Sequence, residues 1–179
     1  MVSMNSQSKK RKDSEKSEEK FLSLIETHKG IIYKIVRIYC KDQDTQKDLE
    51  QEILIELWKS FAKYNEKYKW STWMYRIALN VAISYYRKES RRKQTFTAIE
   101  EPIIVLDREE DSISQEDVQR LYQYIGKLKK LNRALILLYL EGLRYKEIAE
   151  ILDFTETNVA TKIQRVKQQL KNEFLKKEG

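Results

Sequence analysis

The chain has 179 residues, with 35 Lys and Arg against 28 Asp and Glu and a formal net charge of +7. That length allows one domain or two small ones with buried cores, and the charge favours an anionic partner. A single cysteine, Cys40, and a single histidine, His28, exclude an intramolecular disulfide and any His/Cys cluster of the structural-zinc kind, so each is read as an ordinary helix residue and no metal or cofactor is expected.

The charged N-terminus lacks an apolar signal core, and no uninterrupted apolar run approaches about 18 residues, so a cytoplasmic chain without direct membrane insertion is expected. One Pro and four Gly among 35% charged residues point to long helices. The expected fold is all-α: two small helical domains joined by a flexible linker, the C-terminal one containing a helix-turn-helix.

Residues 1–20 are nearly all Ser, Lys, Glu, Asp, Gln and Asn, a composition that buries too little apolar area to offset ordering, and a disordered tail is expected there. From Phe21 the apolar residues Leu24, Ile25, Ile31, Ile32, Ile35, Val36 and Tyr39 keep helical spacing, ending near Cys40. Asp44 or Thr45 is placed to cap a second helix with an inner stripe of Leu49, Ile53, Leu57 and Phe61. Its other face carries Asp48, Gln51, Glu52 and Ile55. A loop rich in Tyr, Lys and Asn follows, and a third helix runs from about Ser71 to Lys93 with Trp73, Ile77, Val81 and Tyr85 in one row, closing a first domain over 21–93.

Residues 94–114 hold the sole proline, Pro102, and the acidic run Asp107 to Asp111, and read as a linker. A second domain over 115–179 is helical again. Val118, Leu121, Ile125 and Leu128 lead to the apolar Ala134 to Leu140, and Gly142 breaks the helix. Tyr145 to Leu152 is a short helix with Ile148, Ala149 and Leu152 inward, and Asp153 to Thr155 is a tight connection. A last helix to about Lys176 has Val159, Ile163, Val166 and Leu170 on its buried stripe.

Two patterns carry chemistry. Tyr64, Tyr68, Trp70, Trp73 and Tyr75 run straight into a basic helix, and aromatic faces beside cations suit unpaired bases and their phosphates. The same rings also suit a helical core. The second pattern is a short helix with a small inward Ala149, a three-residue turn, and a helix that is polar and basic outward, as in a helix-turn-helix. Thr157, Asn158, Thr161, Lys162, Gln164, Arg165 and Lys167 are its candidate contacts to phosphates and base edges. Taken alone, this second pattern fits an operator-binding homodimer or the targeting module of a DNA-processing enzyme as well, although the first of these leaves the aromatic loop without a function.

The run Lys47-Asp48-Leu49-Glu50-Gln51-Glu52-Ile53-Leu54-Ile55-Glu56-Leu57-Trp58, followed by Trp70-Ser71-Thr72-Trp73-Met74-Tyr75-Arg76-Ile77-Ala78-Leu79-Asn80, resembles region 2 of bacterial RNA polymerase sigma factors. Tyr145 to Leu152 with Thr157 to Arg165 resembles region 4. Both blocks stand in the family's order, the resemblance covers about Phe21 to Lys176, and a chain this short looks like the extracytoplasmic-function (ECF) type.

The resemblance implies a sigma factor, not an enzyme, that binds core RNA polymerase and promoter DNA and is held by an anti-sigma factor. It implies polymerase contacts at Asp48, Gln51, Glu52 and Ile55, and minus-ten contacts at Tyr64, Tyr68, Trp70, Arg76, Asn80, Arg87 and Lys88. The helix around Asn158 to Lys167 would read the minus-thirty-five element. Stacking on an aromatic ring returns about 1–3 kcal/mol per base against an unstacking cost of a few kcal/mol, so strand opening without ATP is feasible. Asp153 stands where the family usually has Gly, Ala160 where a basic residue is common, and Ser84 where Asp is frequent. Of these, Asp153 tolerates the left-handed conformation the turn needs.

Overall fold

The computed structural model describes residues 3–40, 42–94 and 115–175. They form seven helices: α1 (Ser3–Tyr39), α2 (Gln43–Phe61), α3 (Trp70–Gln94), α4 (Gln115–Lys127), α5 (Lys130–Leu140), α6 (Tyr145–Leu152) and α7 (Glu156–Leu175). The fold is all-α, and the described residues include no strand. The residues read as a linker, with their acidic run, lie outside the described residues apart from the end of α3.

In the first half, α1, α2 and α3 pack on one another. Leu49, Ile53 and Leu57, at four-residue steps, are completely buried. Each contributes about 1.5–3 kcal/mol by leaving water, and Ile53→Ala would cost about 2–5 kcal/mol through the cavity it leaves. The N-cap of α2 is Asp42, whose carboxylate accepts the Thr45 N–H at 2.9 Å, two residues before the earliest cap the sequence suggested. An Asp at this position satisfies an orphan amide and sits favourably on the helix dipole.

One expectation is corrected, and the packing of α3 is resolved. Helix α1 begins at Ser3, where composition alone points to a disordered tail. Lys, Glu and Gln are good helix formers, and extending a helix already held by packing from Phe21 onward costs far less than nucleating one. In α3 the innermost row is Trp70, Met74, Ala78 and Ala82, with Tyr75 and Leu79 beside it. Trp73, Ile77, Val81 and Tyr85 form its half-buried flank, because α3 is gripped from two sides by α1 and α2.

In the second half, α5 ends in paired reverse bonds: Leu143 N–H donates to the Leu138 carbonyl at 3.2 Å and Gly142 N–H to Tyr139 at 3.0 Å. This cap needs a residue at positive φ, and Gly142 takes φ 76°. Helix α6 ends likewise at Asp153 in the left-handed region, φ 57° and ψ 49°, with Phe154 N–H bonded to the Ala149 carbonyl at 3.0 Å. The turn therefore survives without glycine. Val159, Ile163, Val166 and Leu170 are all buried, as their spacing predicts.

The halves also touch along a seam in which α1 meets α4 and α5, and α3 meets α5 and α6. At one end Arg133, 7% exposed, donates to the Ile38 carbonyl at 3.3 Å and the Tyr86 hydroxyl at 3.4 Å, with its guanidinium 4.7 Å from the Tyr86 ring centre. Tyr39 crosses the other way, its hydroxyl donating to the Lys130 carbonyl at 2.6 Å. Burial pushes the Tyr39 hydroxyl's pKa up, so it stays a donor. Midway, Glu141 accepts from Lys34 at 2.7 Å and from the Tyr75 hydroxyl at 3.0 Å.

Candidate nucleic-acid and polymerase interfaces

Six aromatic rings, Phe21, Trp58, Phe61, Tyr64, Trp70 and Trp73, pack together at one end of the first half, mostly edge to face with centroids 4.6–6.5 Å apart. Such geometry satisfies the ring quadrupoles beyond simple burial. Trp70, a candidate for base capture, is 7% exposed at the centre of this cluster and has no free face for a base. Tyr64 is half-buried, edge-on to Trp70 at 5.0 Å. Tyr68 is 56% exposed and stands off the cluster between Lys67 and Lys69, both exposed as well.

On α3, Arg76, Asn80 and Arg87 are exposed and share one face by their four- and seven-residue steps, and Lys88 is exposed beside them. On α2, Asp48, Gln51, Glu52 and Ile55 are all exposed on one face, Ile55 by 51%. Trp58, one turn on and 44% exposed, extends this face with an aromatic edge. Sequence alone does not single it out, because it adjoins the core position Leu57 and its ring also packs on Phe21 and Phe61.

Helix α7 is capped by Thr155, whose hydroxyl accepts the Asn158 N–H at 3.2 Å. Thr157, Asn158, Thr161, Gln164 and Arg165 are exposed on adjoining rows. Lys162 and Lys167 lie on the flanks and are engaged within the second half: Lys162 sits 5.7 Å from the Phe154 ring centre, and Lys167 bonds the Tyr139 hydroxyl at 3.3 Å.

The loop between α2 and α3 faces α6 across a cleft of 480 Å³ lined by Lys67, Tyr68 and Lys69 on one side and Arg144, Glu147 and Glu150 on the other. Lys69 bridges it to Glu147 at 3.2 Å. Glu147 also accepts the Arg144 N–H at 3.0 Å, the carboxylate half of a capping box on α6. That backbone bond first, and Lys69 second, hold its pKa down at about 2. Among the described residues no cluster of His, Cys, Asp or Glu is arranged to hold a metal ion, and no helix is long and apolar enough to cross a membrane.

Residues 24–92 match the Sigma-70 region 2 family and residues 118–170 match the Sigma-70, region 4 family, which together span both halves of the fold. The chain is 30% identical over 137 residues to the RNA polymerase sigma factor YlaC of Bacillus subtilis (strain 168), covering 74% of this chain and 79% of that one. It is 28% identical over 153 residues to the ECF RNA polymerase sigma factor SigX of the same organism, covering 80% and 78%. In fold it is similar to the sigma factor RpoE, solved in complex with the anti-sigma factor NepR from Bartonella quintana, with a TM-score of 0.68 at 18% identity over 87% of this chain and 94% of that one. The chain belongs to the sigma-70 family of RNA polymerase sigma factors, in its ECF branch. It is accordingly a subunit that directs RNA polymerase to promoters at transcription initiation.

Proposed function

We propose that the first half docks on core polymerase through the exposed α2 face of Asp48, Gln51, Glu52 and Ile55, and holds the minus-ten element with the α2–α3 loop and the basic face of α3. The observation that carries this reading is Tyr68, an exposed ring between two lysines on a loop anchored to a packed aromatic base. An unstacked base gains a platform there, and its phosphates gain Lys67 and Lys69. Arg76, Asn80, Arg87 and Lys88 continue the track along α3, while Tyr64 and Trp70 support the platform from beneath. Capturing an unstacked base favours the open strands, so promoter melting is assisted by binding energy alone, with no covalent chemistry.

The second half reads the minus-thirty-five element with Thr157, Asn158, Thr161, Gln164 and Arg165. Lys162 and Lys167 reach phosphates after leaving Phe154 and Tyr139. The solved relatives' partners, NepR in one case and the cytosolic domain of CnrY in another, support an anti-sigma factor as a further partner of this chain.

Run-off transcription with the host's core polymerase tests the whole reading, since absence of both core binding and specific initiation would sink it. The docking face is tested by Asp48→Arg with Glu52→Arg. Core binding is expected to fall more than tenfold while binding of duplex DNA by the second half stays unchanged. Retained core binding would place the interface elsewhere.

A further inference from the structure

The loop that presents Tyr68 is wired from both sides. Tyr68 N–H donates to the Asn65 carbonyl at 3.1 Å, which closes a four-residue turn over residues 65–68. Among the described residues only Asp153 and Gly142 take positive φ, which leaves type I as the hydrogen-bonded class of this turn. Asn65 occupies its first position, where its side-chain oxygen accepts the Lys67 N–H at 3.0 Å, the local bond for which Asn is favoured there. On the far side of Tyr68, the Tyr64 hydroxyl donates to the Tyr68 carbonyl at 2.8 Å. Tyr64 is itself fixed by the Trp70 and Trp73 rings at 5.0 and 5.2 Å. Outside the turn, Lys20 of α1 pairs with Glu66 at 2.7 Å, raising the lysine's pKa and lowering the carboxylate's through their shared hydrogen bond.

We infer that Tyr64 and Asn65 are specificity-determining positioning residues: the Tyr64 hydroxyl holds the Tyr68 carbonyl and the Asn65 side chain fixes the preceding turn through the Lys67 N–H, so that the exposed Tyr68 ring is a preformed platform for one base of the opened strand. This rests on the reading of Tyr68 as the minus-ten platform. A preformed platform discriminates between bases because it does not reshape itself around the wrong one, and its ordering cost is already met before DNA arrives. Neither residue needs to touch DNA. Tyr64 thereby changes role, from a base contact to the support of one.

The test uses the full chain with its host's core polymerase and a pool of single-stranded DNA randomised over six positions, with bound and unbound fractions sequenced. Wild type is expected to show a base preference that Tyr68→Ala removes, with affinity falling roughly five- to 150-fold, the equivalent of one stacked base. Tyr64→Phe keeps the ring packed and deletes only the hydroxyl. It and Asn65→Ala should each reduce the preference at that same position about two- to tenfold, the equivalent of one net hydrogen bond, with the thermal midpoint lowered by no more than about 4 °C. Asn65→Asp keeps the acceptor and should retain the preference. Combining Tyr64→Phe with Tyr68→Ala should add nothing to Tyr68→Ala alone.

If Tyr68→Ala leaves the selected pool unchanged, the platform itself is misplaced. If it collapses the preference while Tyr64→Phe and Asn65→Ala do not, the positioning role is overturned. A uniform loss at all positions with a thermal midpoint lowered by more than about 4 °C, or failure of Asn65→Asp to retain the preference, overturns it as well.

Discussion

The two ends of the seam between the halves are built on opposite principles. At one end Arg133 is buried and its donors go to carbonyls and a hydroxyl, Leu128 at 2.8 Å within its own half and Ile38 and Tyr86 across the seam. Ile38 lies in the last turn of α1, where carbonyls have no intrahelical partner and a cation is favoured. Arg133 itself sits in the first turn of α5, where a cation gains nothing from its own helix, yet its length carries the charge to the end where it counts. At the other end Lys69 and Glu147 form a pair in which the lysine side chain is 72% exposed. The first end completes a helix terminus with a group from the other half, and the second is a solvent-screened contact that can be exchanged at little cost.

The largest effect is therefore expected at Arg133. Arg133→Ala leaves buried carbonyls unpaired and should destabilise the chain by about 2–4 kcal/mol in urea unfolding, with Arg133→Lys intermediate because it keeps the charge without the planar fork. A loss below about 1 kcal/mol would erase the distinction between the two ends. Glu141 lies between them: exchanging it with Lys34, as Glu141→Lys with Lys34→Glu, should recover most of the roughly 0.5–1 kcal/mol lost in each single variant, a coupling measurable by a double-mutant cycle.

At the exposed end Lys69→Ala should leave the unfolding midpoint nearly unchanged, within about 0.5 kcal/mol. Glu147 adds a pH signature. Its pKa of about 2 in the folded chain lies below the ordinary value of 4.5, so the unfolded chain takes up the proton first as pH falls. Its stabilisation is complete above about pH 4.5 and lost progressively toward pH 2. Glu147→Gln keeps a capping acceptor and should be less stable at neutral pH, with the gap to wild type closing as unfolding is followed down through that window.

Helices α2 and α7 were legible in the sequence because a buried stripe repeats at helical spacing, and the left-handed turn at Asp153 followed from residue type. The paired motif blocks identified the family. The face assignments in α3 were not legible, since Trp70 and Trp73 carry the same apolar signal and only the approach of two neighbouring helices decides which is enclosed. The seam was hidden for a different reason: Arg133 and Ile38, or Lys34 and Glu141, are about a hundred residues apart and leave no local periodicity. Arg133 reads in sequence as one more surface cation. Asn65 does not stand out in sequence, because an Asn in a loop announces a turn without saying what the turn presents.

Helix α1 contacts the α2–α3 loop through Lys20 and the seam through Ile38. Those two residues are eighteen positions apart on one continuous helix, or about 27 Å along its axis. A helix of that kind acts as a ruler with a phase. One residue inserted between Lys20 and Ile38 would advance one contact by about 1.5 Å and rotate it by about 100° relative to the other, so that both could not be met at once. The number of residues in this stretch is thus under a constraint that single substitutions would never reveal.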